Sequence, residues 1–111
     1  MKNSVLLILT ACLLTPLKAF THPAQRIEIA ADNKLVNISV KHRVSDPASH
    51  YINQITVSLN GKEIIKQTFL LQSGNEQNVS YTVPSLKAGD AIDAEANCSK
   101  GGRRKESIAI K

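Results

Sequence analysis

Tryptophan is absent from this chain of 111 residues, and phenylalanine and tyrosine together number only four. Proteins that hold single-stranded nucleic acid stack bases on aromatic rings set among clustered basic residues, so that class is excluded as a leading reading. Acidic residues are also few, nine against fourteen Lys and Arg, for a formal net charge of +5. The chain is too short for a TIM barrel or a dinucleotide-binding doubly wound sheet. No glycine-rich phosphate loop follows a strand pattern, no Ser/His/Asp nucleophile arrangement stands out, and no internal repeat, low-complexity segment or second domain is visible.

Only one long apolar run exists, Val5 to Leu14 (VLLILTACLL), preceded by Lys2 and ended by Pro16. A bilayer-spanning helix needs about 17–25 apolar residues, so the run excludes a transmembrane anchor and reads as the core of a signal peptide over residues 1–21. Small residues at Ala19 and Thr21 place cleavage near 19–21, with a mature start near Phe20 or His22. Export, to a periplasm, is the expected localisation. Leu9-Thr10-Ala11-Cys12 resembles a lipobox, and lipidation at Cys12 is the alternative; it requires an unusually short leader. Removing the leader, with Lys2 and Lys18 and no acidic residue, lowers the net charge from +5 to +3.

It also leaves a single cysteine, Cys98, in a chain bound for an oxidising compartment. No intramolecular disulfide can form, and Cys98 is a buried small side chain, an intermolecular bridge, or a reactive or metal-bound thiolate.

Residues 22–111 predict an all-β domain. Apolar residues alternate over Arg26–Ala30 and Lys34–Val40, with an Asp32-Asn33 turn between them, and again over Tyr51–Leu59. Asn60-Gly61 then gives a strong hairpin signal, because both central residues of a type I′ turn need φ > 0. Its partner strand is expected over Lys62–Leu71, with Phe69 and Leu71 in phase. Further strands carry Val79, Tyr81 and Val83, then Ile92, Ala94, Ala96 and Cys98, and finally Ile108 and Ile110. About seven short strands separated by turns predict an immunoglobulin-like antiparallel β-sandwich. A domain of this size buries only about 60–65% of its unfolded surface, and a bound metal would add stability.

His22, His42, His50 and Cys98 are the metal-ligating side chains available after the leader. Their spacing matches neither the paired ligands of a zinc finger nor the helical pair of a zincin. Each has a plainer role open to it: His22 at a frayed terminus, His42 at a strand end, His50 before a strand, Cys98 in the core.

The segment His42 to Ile52 (HRVSDPASHYI), together with Cys98-Ser-Lys-Gly-Gly102, resembles the iron-binding domain of the desulfoferrodoxin and superoxide reductase family. The resemblance covers about residues 22–111 and implies a mononuclear non-haem iron on an immunoglobulin-like sandwich, reducing superoxide to hydrogen peroxide with electrons from a donor protein. In that family four imidazoles and an axial thiolate hold the iron. Carried over, His22 corresponds to the early His, His42 to the loop His, His50 to the strand-start His, and Cys98 to the thiolate. Gly101 stands in the place of the fourth imidazole, leaving a three-nitrogen, one-sulfur set. Lys41, Arg43 and Lys100 could supply local positive charge for an anionic substrate.

A second set of segments, His50-Tyr-Ile with Ile55 to Lys62 (ITVSLNGK) and Leu86-Lys-Ala-Gly-Asp90, is similar to SoxZ. That resemblance implies the scaffold subunit of a sulfur-oxidation carrier complex, paired with a Cys-tailed carrier subunit and its small sulfur species, or another non-catalytic periplasmic binding module. It gives Cys98 no role.

Overall fold

The computed structural model describes residues 22–111; the expected leader, its cleavage site and Cys12 lie outside the described residues. Seven strands follow one another: β1 (Arg26–Asp32), β2 (Leu35–Lys41), β3 (Ile52–Leu59), β4 (Lys62–Thr68), β5 (Glu76–Thr82), β6 (Ala91–Cys98) and β7 (Arg103–Ala109). They form two antiparallel sheets, a three-stranded one in the order β1-β2-β5 and a four-stranded one in the order β4-β3-β6-β7. This is the immunoglobulin-like sandwich expected from the alternation. Among the described residues no helix is long and apolar enough to cross a membrane.

The core lies between the sheets. From β2 it takes Val36, Ile38 and Val40, which meet Ile52, Ile55 and Val57 of β3 and Ile92, Ala94 and Ala96 of β6, all essentially inaccessible. Each fully buried Val or Ile contributes about 1.5–3 kcal/mol of transfer free energy. Ala24, Ile27, Val83 and Leu86 complete it.

Two turns lock the end remote from the histidines. Asn60 and Gly61 have φ of 50° and 84°, the type I′ geometry expected of the pair. The Asn60 side chain donates to Asp90 Oδ1 at 3.0 Å and accepts from Ala91 N–H at 2.8 Å. Asp90 also accepts from the backbone and side chain of Lys87. These contacts hold its carboxyl well down, from an ordinary 3.8 to about 2, with the Asn60 hydrogen bond the largest cause.

Strand β4 is shorter than the alternation suggested. It ends at Thr68, and Leu70 and Leu71 lie in solvent, 80% and 61% exposed. The cause is the next residue: Gln72 turns inward and is buried, 3% exposed, on four hydrogen bonds. Its polar satisfaction sets the path of the chain and leaves the two leucines outside.

Strand β3 carries an extra residue opposite β6. Ile52 pairs with Cys98 but Gln54 with Asn97, so Asn53 is the residue without a partner in a β-bulge. Ile52 and Ile55 are therefore both fully buried although three positions apart.

Candidate metal centre

Four segments converge at the end of the sandwich opposite the Asn60–Asp90 lock. His42 directly follows β2, where its N–H donates to Asn75 O at 2.9 Å. His50 precedes β3 on a turn organised by Asp46. The Asp46 carbonyl accepts from Ser49 and His50 N–H, and its carboxylate accepts from Ala48 N–H and the Ser49 hydroxyl. The Ser49 bond, first among these contacts, lowers the Asp46 pKa. Cys98 ends β6 and sits opposite Ile52 in the ladder. Ser99 and Tyr51 fasten the two segments: Ser99 N–H donates to Tyr51 O and Tyr51 N–H to Ser99 Oγ. His22 is brought in by the residues just after it. Ala24 is buried, Gln25 N–H donates to Lys41 O, and Gln25 Oε1 accepts from Arg43 N–H.

The three imidazoles form a tight cluster, with ring centroids 4.8–5.3 Å apart. One donor nitrogen from each lies within 4.8 Å of the others. His22 Nδ1 is 3.2 Å from His50 Nε2, and His50 Nε2 is 3.2 Å from Cys98 Sγ. The free thiol is buried and accepts a long contact from Lys100 N–H at 3.4 Å. The three histidines singled out from the sequence thus gather at one place, and Cys98 touches them through His50.

Burial, and then the nearby His42, His22 and Lys100, hold the His50 pKa below its ordinary 6.5. A neutral imidazole with a free lone pair is the ligating form.

Gln72 is the residue that sequence reasoning missed. Its amide nitrogen donates to two carbonyls, His42 O at 2.7 Å and Gly74 O at 2.9 Å. Its oxygen accepts from Ile52 N–H at 3.0 Å and lies 2.8 Å from His42 Nδ1. The backbone partners settle which end of the amide is oxygen, so His42 must carry its proton on Nδ1 to donate there. In the neutral ring Nε2 is then left with a lone pair, 3.0 Å from the His22 carbonyl oxygen. Two acceptors at that distance repel, and either a proton or a metal cation at Nε2 relieves the repulsion. A set of three imidazoles, of which His42 is buried, and a buried thiol, with no carboxylate among them, fits Fe(II), Zn(II) or copper rather than magnesium or calcium.

Gly101, which stands where the resemblance called for a fourth imidazole, lies in the turn after Cys98, where its N–H donates to Cys98 O. Its φ is 106° and that of Gly102 is 91°, a region that side chains other than glycine's rarely adopt. The turn after Cys98 is thus built for glycine.

Positive charge flanks the site. A cleft of about 470 Å³ runs beside His42, lined by Arg26, Lys41, Arg43 and Glu76 among others. Lys41 is paired with Glu76 and Arg26 with Glu28, while Arg43 and Lys100 make no salt bridge among the described residues.

The fold is an antiparallel β-sandwich with three histidines and a cysteine gathered at one end. No protein-family model matches the chain, and no curated protein does. Among solved structures it is similar to a superoxide reductase (1Fe-SOR) from Giardia intestinalis, with a TM-score of 0.62 and 22% sequence identity. The match covers 81% of this chain and 98% of that one. At that identity the likeness is one of fold.

Proposed function

We propose that the chain binds a mononuclear non-haem iron through His22, His42, His50 and Cys98 and reduces superoxide to hydrogen peroxide. The observation that carries the reading is the convergence of His22 Nδ1, His50 Nε2 and Cys98 Sγ at 3.2 Å contacts. The structural likeness to a superoxide reductase supports it. It also accounts for Cys98 beside His50, which the sulfur-carrier scaffold reading leaves without a role.

When bound, a ferrous ion supplies the electron that superoxide takes up. The residues of the chain do the rest. Gln72 holds His42 in the tautomer that presents Nε2. Cys98, as thiolate, provides the electron-rich donor, and the Lys100 N–H against its sulfur moderates that charge. Arg43 and Lys100 draw a small anion toward the histidine end of the sandwich. The two protons of the peroxide come from water. Export to the periplasm and re-reduction by a donor protein belong to the same proposal.

The test is anaerobic Fe(II) loading of protein purified without a histidine tag. One iron per chain, a thiolate-to-iron charge-transfer band after oxidation, and peroxide formed from a superoxide flux are expected. A chain that takes up no iron under these conditions refutes the reading.

A further inference from the structure

We propose that His22 holds the metal with two nitrogens, its ring Nδ1 and its own α-amine, after the leader is cut between Thr21 and His22. The inference rests on the metal reading above and assigns the fourth nitrogen donor that the three imidazoles leave missing.

The orientation of His22 is the first ground. It presents Nδ1 to the cluster, 3.2 Å from His50 Nε2. Nδ1 is the ring nitrogen nearer the backbone, and it can close a small chelate ring with the nitrogen of the same residue through Cγ, Cβ and Cα. A histidine presenting Nε2 cannot do so.

The backbone of His22 is also inside the site. Its carbonyl oxygen is 3.0 Å from His42 Nε2, and its nitrogen donates to Gly101 O at 3.3 Å. As an amide, that nitrogen has one hydrogen, directed to Gly101 O, and a lone pair delocalised into the peptide bond. As a free amine it keeps a hydrogen for Gly101 O and gains a lone pair for an ion. Gly101 thus orients the amine through its carbonyl, while contributing no side chain of its own.

The sequence around the bond is suited to this. Thr21 and Ala19 are the small residues that a signal cleavage site before His22 requires. Pro23 follows, and its nitrogen has no hydrogen to lose. The next backbone nitrogen therefore cannot compete for the ion, and the α-amine is the one backbone donor at that end of the chain.

Secretion of the full chain with its own leader, followed by intact mass measurement, should give a mature protein starting at His22. A start at Phe20 or elsewhere overturns the proposal. Two chains are then compared, both beginning at His22, one with a free α-amine and the other with that amine acetylated. Circular dichroism confirms that both fold alike. With Fe(II) alone as probe, the free-amine chain should bind at least about tenfold more tightly, the scale on which metal affinity responds to loss of a supporting group. With Cu(II) alone, its electron paramagnetic resonance spectrum should show an added nitrogen that the acetylated chain lacks. Equal affinities and identical spectra sink this inference and leave the three-imidazole site standing. Binding by neither chain sinks both.

Discussion

The carboxamide oxygen of Gln72 lies 2.8 Å from Nδ1 of His42, two buried polar groups thirty positions apart in the chain. Because the amide nitrogen of Gln72 is committed to the carbonyls of His42 and Gly74, the same side chain ties the backbone and the ring of His42. It is at once a structural plug and the device that aims one ligand.

Replacing Gln72 with Leu should therefore show two separable effects. Stability should fall by about 1–3 kcal/mol, from buried groups left unpaired. In the metal-free protein, nitrogen NMR should find His42 in a mixture of tautomers, where the wild type is Nδ1–H throughout. Fe(II) affinity should drop about 10–100-fold. A single tautomer retained in Gln72→Leu would show that the amide only fills space.

Cys98→Ser should leave the fold intact, the side chain being small and buried at the end of β6. It should abolish any thiolate-to-iron band and superoxide reduction. Absorption spectra of the oxidised, iron-loaded variant check this, and a band that persists would place Cys98 in the core alone.

Introducing an imidazole at position 101 does not simply restore a ligand. With φ at 106°, Gly101→His should cost about 1–3 kcal/mol in the metal-free protein. Urea denaturation would measure it; an unchanged midpoint would mean that the turn relaxes around the new side chain.

Asp90 should give the domain an acid limb. Its carboxyl titrates at about 2 when folded, against an ordinary 3.8. A depressed folded value stabilises above the ordinary value, and that stabilisation is lost as the pH falls from about 3.8 through about 2. Asp90→Asn should lower stability at neutral pH and flatten its decline over that window. Urea midpoints taken across the window decide the matter.

Much of the fold was legible. Alternation at Val36, Ile38 and Val40 and at Ile55 and Val57 marks inward faces, because a half-buried strand has no other way to segregate its side chains. Asn60-Gly61 is a local signal with a local cause. His22, His42, His50 and Cys98 could be named as candidates, and the resemblance grouped them. Gln72 was not legible. Its role depends on the chain between β4 and β5 folding back to His42, and nothing near it in sequence announces that. The same hidden contact explains why Phe69-Leu70-Leu71 reads as strand while Leu70 and Leu71 are solvent-exposed. Gly101 was noticed for the side chain it lacks, whereas the structure gives its place in the turn a backbone reason.

The unpaired Asn53 has a consequence for how this chain can change. Each residue of a strand reverses the side on which its neighbour stands. The extra residue cancels one reversal, so Ile52 faces inward in step with Ile55. Deleting Asn53 would close the ladder into regular pairing, with Ile52 two places from Ile55 and still facing inward beside Cys98. It is a second residue lost or gained between Ile52 and Ile55 that would turn Ile52 outward and carry the Asp46–His50 turn away from Cys98. Across related sequences this point should vary in identity, and the bulge should be present or absent as one residue and no more.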